Sequence, residues 1–306
     1  MSLVHSFDLG AFRCHALEAG RQRLDGGAMF GVVPKPLWEK RIAPDDRNRI
    51  PLAMRCLLVE HPDGLVLIDT GLGNKEDAKF RRIYGIANAG RDGRTLLEEA
   101  IRQAGHAPAD VKWVINSHLH FDHAGGNTYE EHDEAGVAVG GARLAFPSAT
   151  YVVQWGELEF ARNTNERTRA SYLEPNFEPV AEAGRWKLLR GDVEILPGIE
   201  SRVTPGHVPN HQSVMLRSGG DRLLYLADVM PTSHHLPLPW IMGYDLEPLR
   251  TLESKRRIFK AAEDEGWWFF FEHDADVIMG RLGEADGGPV LGAAVRATWR
   301  PEEGGG

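Results

Sequence analysis

Apolar and polar positions along this chain fall into runs that recur in one order. Residues 54–71, MRCLLVEHPDGLVLIDTG, form two β-rich runs around His61-Pro62-Asp63-Gly64, an Asp-Gly-containing turn of the kind that closes hairpins. The second run ends on Asp69-Thr70-Gly71. Leu96, Leu97, Ala100, Ile101 and Ala104 then recur at helical spacing within residues 94–105, and Gly105 supplies a stop. A strand of buried character from Val111 to Asn116 follows and runs directly into Ser117-His118.

The order then returns. Residues 212–228, QSVMLRSGGDRLLYLAD, are again two apolar runs around a Gly-Gly turn, and the second again ends on an aspartate, Asp228. A helical segment from Pro248 to Glu265 carries Leu249, Leu252, Ile258, Phe259 and Ala262, with Pro in a permitted first-turn position and Gly266 as its stop. Trp267 to Phe271 then form a short aromatic strand, read as core packing, that runs into Glu272-His273. Asp228 follows Asp69 by 159 positions and His273 follows His118 by 155. Two hairpin–helix–strand halves, each delivering polar residues from strand ends, predict one α/β domain over residues 1–300 built by duplication. Residues 157–190 read as a mostly helical insert, residues 1–50 as an irregular arm, and residues 301–306, PEEGGG, as a flexible tail.

Composition narrows the chemistry. The 306 residues hold 35 Lys and Arg against 44 Asp and Glu, a formal charge of −9, which leaves no surplus cation for binding nucleic acid. No apolar run is long enough for a membrane span, and the N-terminal residues have neither a basic start nor an apolar stretch, so a cytoplasmic protein is expected. Two cysteines, Cys14 and Cys56, are expected as buried thiols. With 13 histidines beside them, any metal should be held by imidazole and carboxylate.

Such a site is written in SHLHFDHAGGN, residues 117–127, which puts His118, His120, Asp122 and His123 within six positions. Side chains at i and i+2 of an extended or looping backbone fall on one side, so His118, His120 and Asp122 can converge while His123 turns toward a neighbouring point. One ion rarely takes four ligands from so short a loop, whereas two adjacent ions would use all of them. Further candidates sit at strand ends: His207 in the Pro-Gly turn Thr204-Pro205-Gly206-His207, Asp228, and His273. They complete two sets, His118, His120 and His207 for one ion and Asp122, His123 and His273 for the other, with Asp228 bridging. Neutral imidazole with carboxylate suits Zn²⁺, with Mn²⁺, Fe²⁺ or Co²⁺ as alternatives.

The His-x-His-x-Asp-His loop, the Thr-Pro-Gly-His turn, the strand-end Asp and the late His, in this order, resemble the metallo-β-lactamase superfamily of binuclear metallohydrolases, over about residues 25–280. The resemblance implies an αβ/βα four-layer sandwich, two mixed sheets flanked by helices, with two divalent ions per chain at one edge of the sheets. The segments DGGAMFGVVPKPLW and LADVMPTSHHLPLPWIMGYD look like the branch containing N-acyl-homoserine lactonases and methyl-parathion-hydrolase-like phosphotriesterases. Smaller lactonases of that branch place a tyrosine three residues after the bridging aspartate. Here that position is Pro231, with Tyr244 as a possible substitute.

The expected reaction is hydrolysis by a metal-bridging hydroxide, with Asp122 as the catalytic group that accepts a proton and passes it to the leaving group. A lactonase is the leading expectation, with a partly apolar small-molecule substrate and a homodimer permitted. A phosphotriesterase or arylesterase is the alternative. From other classes come a non-catalytic metal-binding protein and a di-iron redox protein, the latter disfavoured by histidine rather than a carboxylate at position 120. Asp69 is a candidate to orient a ligand histidine and His211 a candidate to support the ligands without binding metal. Met29, Phe30, His234, His235 and Trp240 are candidate pocket residues. His5, His15, His61, His106 and His132 are expected on the surface.

Overall fold

The computed structural model describes residues 2–133, 138–285 and 288–298. Among the described residues, nine strands belong to the first half: β1 (Val4–Leu9), β2 (Phe12–Asp25), β3 (Arg49–His61), β4 (Gly64–Ile68), β5 (Val111–Ile115), β6 (Thr128–His132), β7 (Ala138–Leu144), β8 (Thr150–Gln154) and β9 (Trp186–Leu189). Seven follow: β10 (Glu194–Leu196), β11 (Ile199–Val203), β12 (Gln212–Ser218), β13 (Asp221–Tyr225), β14 (Trp268–Phe270), β15 (Val277–Ala285) and β16 (Gly288–Arg296). One sheet runs β1-β2-β3-β4-β5-β8-β9, the second runs β10 through β16 in order, and β6 and β7 pair separately.

Both predicted hairpins are present, and each is followed by a parallel partner at the same place. In the first half Ile68 of β4 pairs with Ile115 of β5; in the second, Tyr225 of β13 pairs with Phe270 of β14. Parallel neighbours need a crossover, and each half uses its helix for one. In the helix Leu96–Gln103, Thr95 caps the first turn and Glu98 returns a bond to the Thr95 backbone. The helix Pro248–Glu265 ends on Gly266 at φ 62°, a left-handed conformation that glycine takes without a Cβ clash.

The two sheets pack face to face. Leu57, Val59, Val66, Ile68 and Ile115 of the first meet Val214, Leu216, Leu223, Tyr225 and Phe270 of the second. On the outer face of the first sheet, Leu97, Ala100 and Ile101 cover Cys56, Leu58 and Val114. On the outer face of the second, Ile258 and Ala262 cover Met215, Leu224 and Phe269. Helix, sheet, sheet and helix therefore make four layers, the sandwich that the resemblance implied. Each large apolar side chain fully buried this way contributes about 1.5–3 kcal/mol, which fixes the sheets that carry the polar strand ends. Cys14 and Cys56 are both buried and free.

Three expectations are corrected. Residues 1–50 are not an irregular arm, because β1 and β2 form the edge and second strand of the first sheet, and short helices Gly26–Phe30 and Lys35–Trp38 follow. Within 157–190, residues 186–189 are strand β9, paired in parallel with β8, and only Trp155–Arg162 and Glu178–Glu182 are α-helical. His15 and His61 are buried rather than superficial: Ser6 and Glu60 bond His15, and the Pro197 carbonyl lies 2.9 Å from His61 Nε2. Residues 301–306 lie outside the described residues. Among the described residues, no helix is long and apolar enough to cross a membrane.

Candidate metal centre

The centre grows from strand ends. One residue beyond β4 the chain turns at Asp69 (φ 52°), and two beyond β13 at Ala227 (φ 47°), both in left-handed conformations. Asp69 then accepts bonds from the Ser117 backbone and hydroxyl, both at 2.7 Å, which pins the segment leaving β5. The short helix Phe121–Ala124 carries Asp122 and His123, and Thr70 N donates to the His123 carbonyl at 2.7 Å. Close approach there requires Gly126, since a Cβ would stand 2.3 Å from the Thr70 carbonyl oxygen. Gly206 is needed likewise to deliver His207, with φ 145° and Thr251 2.2 Å from a Cβ.

These turns bring seven side chains together. Ligand-type atoms of His118, His120, His207 and Asp228 lie within 4.8 Å of one another, as do those of Asp122, His123 and His273. Asp228 joins the groups: its Oδ2 is 3.0 Å from His207 Nε2 and 3.5 Å from His123 Nε2, and its Oδ1 is 3.2 Å from His273 Nε2. Imidazole nitrogens face each other at 3.1 Å in two places, His120 Nδ1 with His207 Nε2 and His123 Nε2 with His273 Nε2. Nitrogens around one tetrahedral zinc at about 2.0–2.1 Å stand about 3.3 Å apart, close to that spacing. His118 Nε2 is buried without a hydrogen-bond partner, 3.9 Å from Asp228 Oδ2, a gap that two such bonds span. The donor set and its spacing fit two divalent ions.

Outer contacts orient these rings. His123 Nδ1 faces Asp69 Oδ2 at 3.1 Å and Glu272 Oε2 at 3.0 Å. His207 Nδ1 meets Asp245 Oδ1 at 3.0 Å, and Thr251 donates to the other Asp245 oxygen at 2.6 Å. His273 Nδ1 lies 2.7 Å from the Ala53 carbonyl, to which it donates. His211 accepts from the Asp228 backbone N–H through Nε2 at 3.2 Å and meets Thr204 Oγ1 through Nδ1. Burial and the neighbouring imidazoles hold His118 and His120 well below the usual histidine range, so their lone pairs are free. Burial opposes a charge on His273, but Asp228 outweighs it and raises the ring to about 9. Burial pushes the Glu272 carboxyl up to about 8.

Comparison with known proteins bears on what this geometry is for. A family model described as the metallo-beta-lactamase superfamily matches residues 51–273. The chain belongs to that superfamily. It is similar to an N-acyl homoserine lactonase of Bacillus cereus, 29% identical over 237 residues, which cover 75% of this chain and 84% of that protein. A crystal structure of a probable metal-dependent hydrolase from Staphylococcus aureus superposes with TM-score 0.84 at 29% identity, covering 96% of this chain and all of that one. An N-acyl homoserine lactone hydrolase, with N-hexanoyl-L-homoserine bound at its catalytic metal center, gives TM-score 0.63 at 26% identity over 90% of this chain and 94% of its own. This kinship makes the chain an enzyme of the metal-dependent hydrolase kind.

In this superfamily member His120, Asp122, His207, Asp228 and His273 line a cleft of about 410 Å³. Leu24, Ala28, Met29, Met242 and Leu246 give it apolar walls, and Tyr84, Tyr244 and Arg167 bring polar groups to it. Of the five candidate pocket residues only Met29 lines this cleft. Phe30 is fully buried, stacked on His235 with ring centroids 4.8 Å apart, and Trp240 packs edge-on against it. His235 is tied to the Met29 carbonyl and to Thr232, while His234 borders a separate groove beside Asp274. The loop is thus committed to its own packing behind the pocket wall. Sequence reasoning missed Gln22, which donates to Asp122 Oδ2 at 2.5 Å, and Glu157, which receives Leu119 N–H and the Tyr172 hydroxyl. Neither sits in a motif; each reaches the centre only through tertiary contact.

Proposed function

We propose that this hydrolase holds two divalent ions, zinc being the best match to an all-imidazole and carboxylate donor set, and opens lactones that carry an apolar tail. His118, His120 and His207 would hold one ion and Asp122, His123 and His273 the other, with Asp228 facing both groups. The observation that carries this reading is the convergence of all seven groups around Asp228, five of which, His120, Asp122, His207, Asp228 and His273, line a cleft with mostly apolar walls. When bound, such a pair of ions lowers the pKa of water toward neutrality, so providing hydroxide, and polarises the oxygen of the bond under attack.

The remaining steps fall to the chain. Asp122 takes the proton of the attacking water and returns it to the ring oxygen as the carbon–oxygen bond breaks, yielding the hydroxy acid. Gln22 keeps the Asp122 carboxylate turned toward the cleft. Tyr244, on the wall, supplies the hydroxyl that Pro231 lacks, and Leu24, Met29 and Met242 receive the acyl chain. The names of the relatives support a lactone substrate. Acid release from N-decanoyl homoserine lactone at constant pH tests it, with His120→Ala expected to lose at least about 100-fold in kcat/KM. Equal rates for the two proteins would overturn the assignment.

Pro231 favours one second reading. Without a side-chain donor at that position, a phosphotriester could occupy the same cleft. A kcat/KM higher on a dialkyl aryl phosphate than on any lactone would select it.

A further inference from the structure

A second group of metal-type side chains lies on the outer face of the first sheet, at the end opposite the centre. His15 on β2 and Glu60 on β3 are diagonal neighbours, because Arg13 pairs with Glu60 and His15 with Leu58. His106 follows the helix Leu96–Gln103, and its N–H bonds the Ile101 carbonyl at the helix end. His15 Nε2 stands 3.0 Å from Glu60 Oε1, and His106 Nε2 stands 3.1 Å from the same oxygen. Ligand atoms of the three residues lie within 4.8 Å of one another.

The His15 ring is built in rather than free. It is 5% exposed, and its Nδ1 lies 2.8 Å from the hydroxyl of Ser6, its cross-strand partner on β1. Ser6 can accept from Nδ1–H, and that tautomer leaves the Nε2 lone pair aimed at the Glu60 oxygen. A metal-bound imidazole typically has its other nitrogen held in this way. Without an ion, the other His15 tautomer applies: Ser6 donates to Nδ1, and both Nε2–H groups donate to the same Glu60 oxygen. With one, each nitrogen and the carboxylate bind at about 2.0–2.2 Å, and the part-exposed side leaves room for water as a fourth ligand.

We propose that His15, Glu60 and His106 form a third metal site, for Zn²⁺ or a similar divalent cation, separate from the catalytic pair. Two imidazoles and a carboxylate favour such ions over Mg²⁺ or Ca²⁺, which take oxygen ligands. Glu60 lies seven residues along β3 from Ala53, whose carbonyl bonds His273. At about 3.3 Å per residue that is about 23 Å, too far for the site to share an ion with the cleft. Its ligands come from β2, β3 and the loop beyond the helix, so an ion there fastens the helix end to the sheet and stabilises the fold without touching the reaction.

The test uses the metal-loaded enzyme, dialysed against micromolar free zinc, with metal per chain counted by mass spectrometry. Wild type is compared with His106→Ala, Glu60→Gln and, as a control, His132→Ala, an exposed histidine elsewhere. Wild type and the control should each hold one more ion per chain than the two site variants. Zinc should raise their unfolding temperature by about 2–4 °C above any response of those variants. All four should hydrolyse substrate alike. Equal metal content across the four, or binding to the extra site only at millimolar zinc, would overturn the proposal. Glu60→Gln keeps the side chain's shape, so a folding defect in His106→Ala leaves the comparison decisive.

Discussion

Asp122 depends on a neutral amide that no motif announces. Gln22 is fully buried on β2, and its Nε2 donates to Asp122 Oδ2 at 2.5 Å. Gln22→Leu keeps the volume and removes the donor, so the carboxylate turns and the cost falls on activity: about 10–100-fold in kcat/KM, with unfolding temperature little changed. An unchanged kcat/KM would show that Asp122 needs no such support. His273 makes a second prediction. Its metal-free pKa of about 9, against an ordinary 6.5, means the ring carries a proton at neutral pH that an ion must displace. Zinc binding should therefore release protons, seen as a buffer-dependent binding enthalpy, and weaken by about tenfold per pH unit for each proton released as pH falls below 9. For the metal-free fold the sign is opposite. The raised pKa gives stability that is complete below about 6.5 and is lost as pH rises through about 9. The seven grouped side chains were legible because His and Asp at strand ends and in a tight loop have few structural reasons to be there. Gln22, Asp245 and Glu272 were not, since an ordinary polar residue shows its partner only once the chain is folded. Phe30 and His235 mislead for the converse reason: their types suit a pocket, but they stack on each other behind its wall.

Between residue and fold lies the element, and here the loop from His235 to Trp240 shows how a pocket wall is held. Lys255, fully buried on the helix Pro248–Glu265, donates from Nζ to the carbonyls of His235, Pro237, Leu238 and Trp240 at 2.7–3.2 Å. Three N–H bonds serve four carbonyls, so the loop closes around one ammonium. Lys255→Met fills the space but leaves those carbonyls without a donor, which should lower stability by about 2–4 kcal/mol in denaturant unfolding. Amide exchange should quicken across residues 235–240 while the strands stay protected. Uniform exchange throughout the chain would mean that the lysine holds no particular element. The hairpins and both crossover helices were readable because their apolar spacing matches period 2 or 3.6 with clear stops. β2 was not, because Glu18 and Arg21 break its apolar run and read as surface. Folding buries both: Glu18 Oε1 lies 2.7 Å from Arg55, Glu18 Oε2 lies 3.2 Å from Arg21, and a bulge between residues 18 and 21 shifts the register. Paired charges can occupy an interior strand that isolated charges could not.

At the scale of the whole molecule the two halves are joined by more than the apolar faces of their sheets. Arg55 on β3 donates to the carbonyls of Phe271 and Asp274 in the second half, at 2.8 and 3.0 Å, while Glu18 balances its charge. The proposed metal centre is the second joint. His118, His120, Asp122 and His123 come from the first half and His207, Asp228 and His273 from the second, so under the proposed ligand sets neither half would hold the ions alone. Ions bound only by the assembled sandwich must stabilise it by mass action, and the gain grows with the logarithm of metal concentration over its dissociation constant. Stripping the metal with a chelator should therefore lower the unfolding temperature by at least about 5 °C while abolishing hydrolysis, and zinc should restore both together. Asp228→Asn sharpens the test. It weakens the one carboxylate that touches both ligand groups, so it should unfold near the temperature of the stripped wild type and respond little to added zinc. If the stripped wild type unfolded where the loaded protein does, the seven side chains would not be joining the halves through metal. The apolar core and the Arg55 latch would then account for the assembly alone.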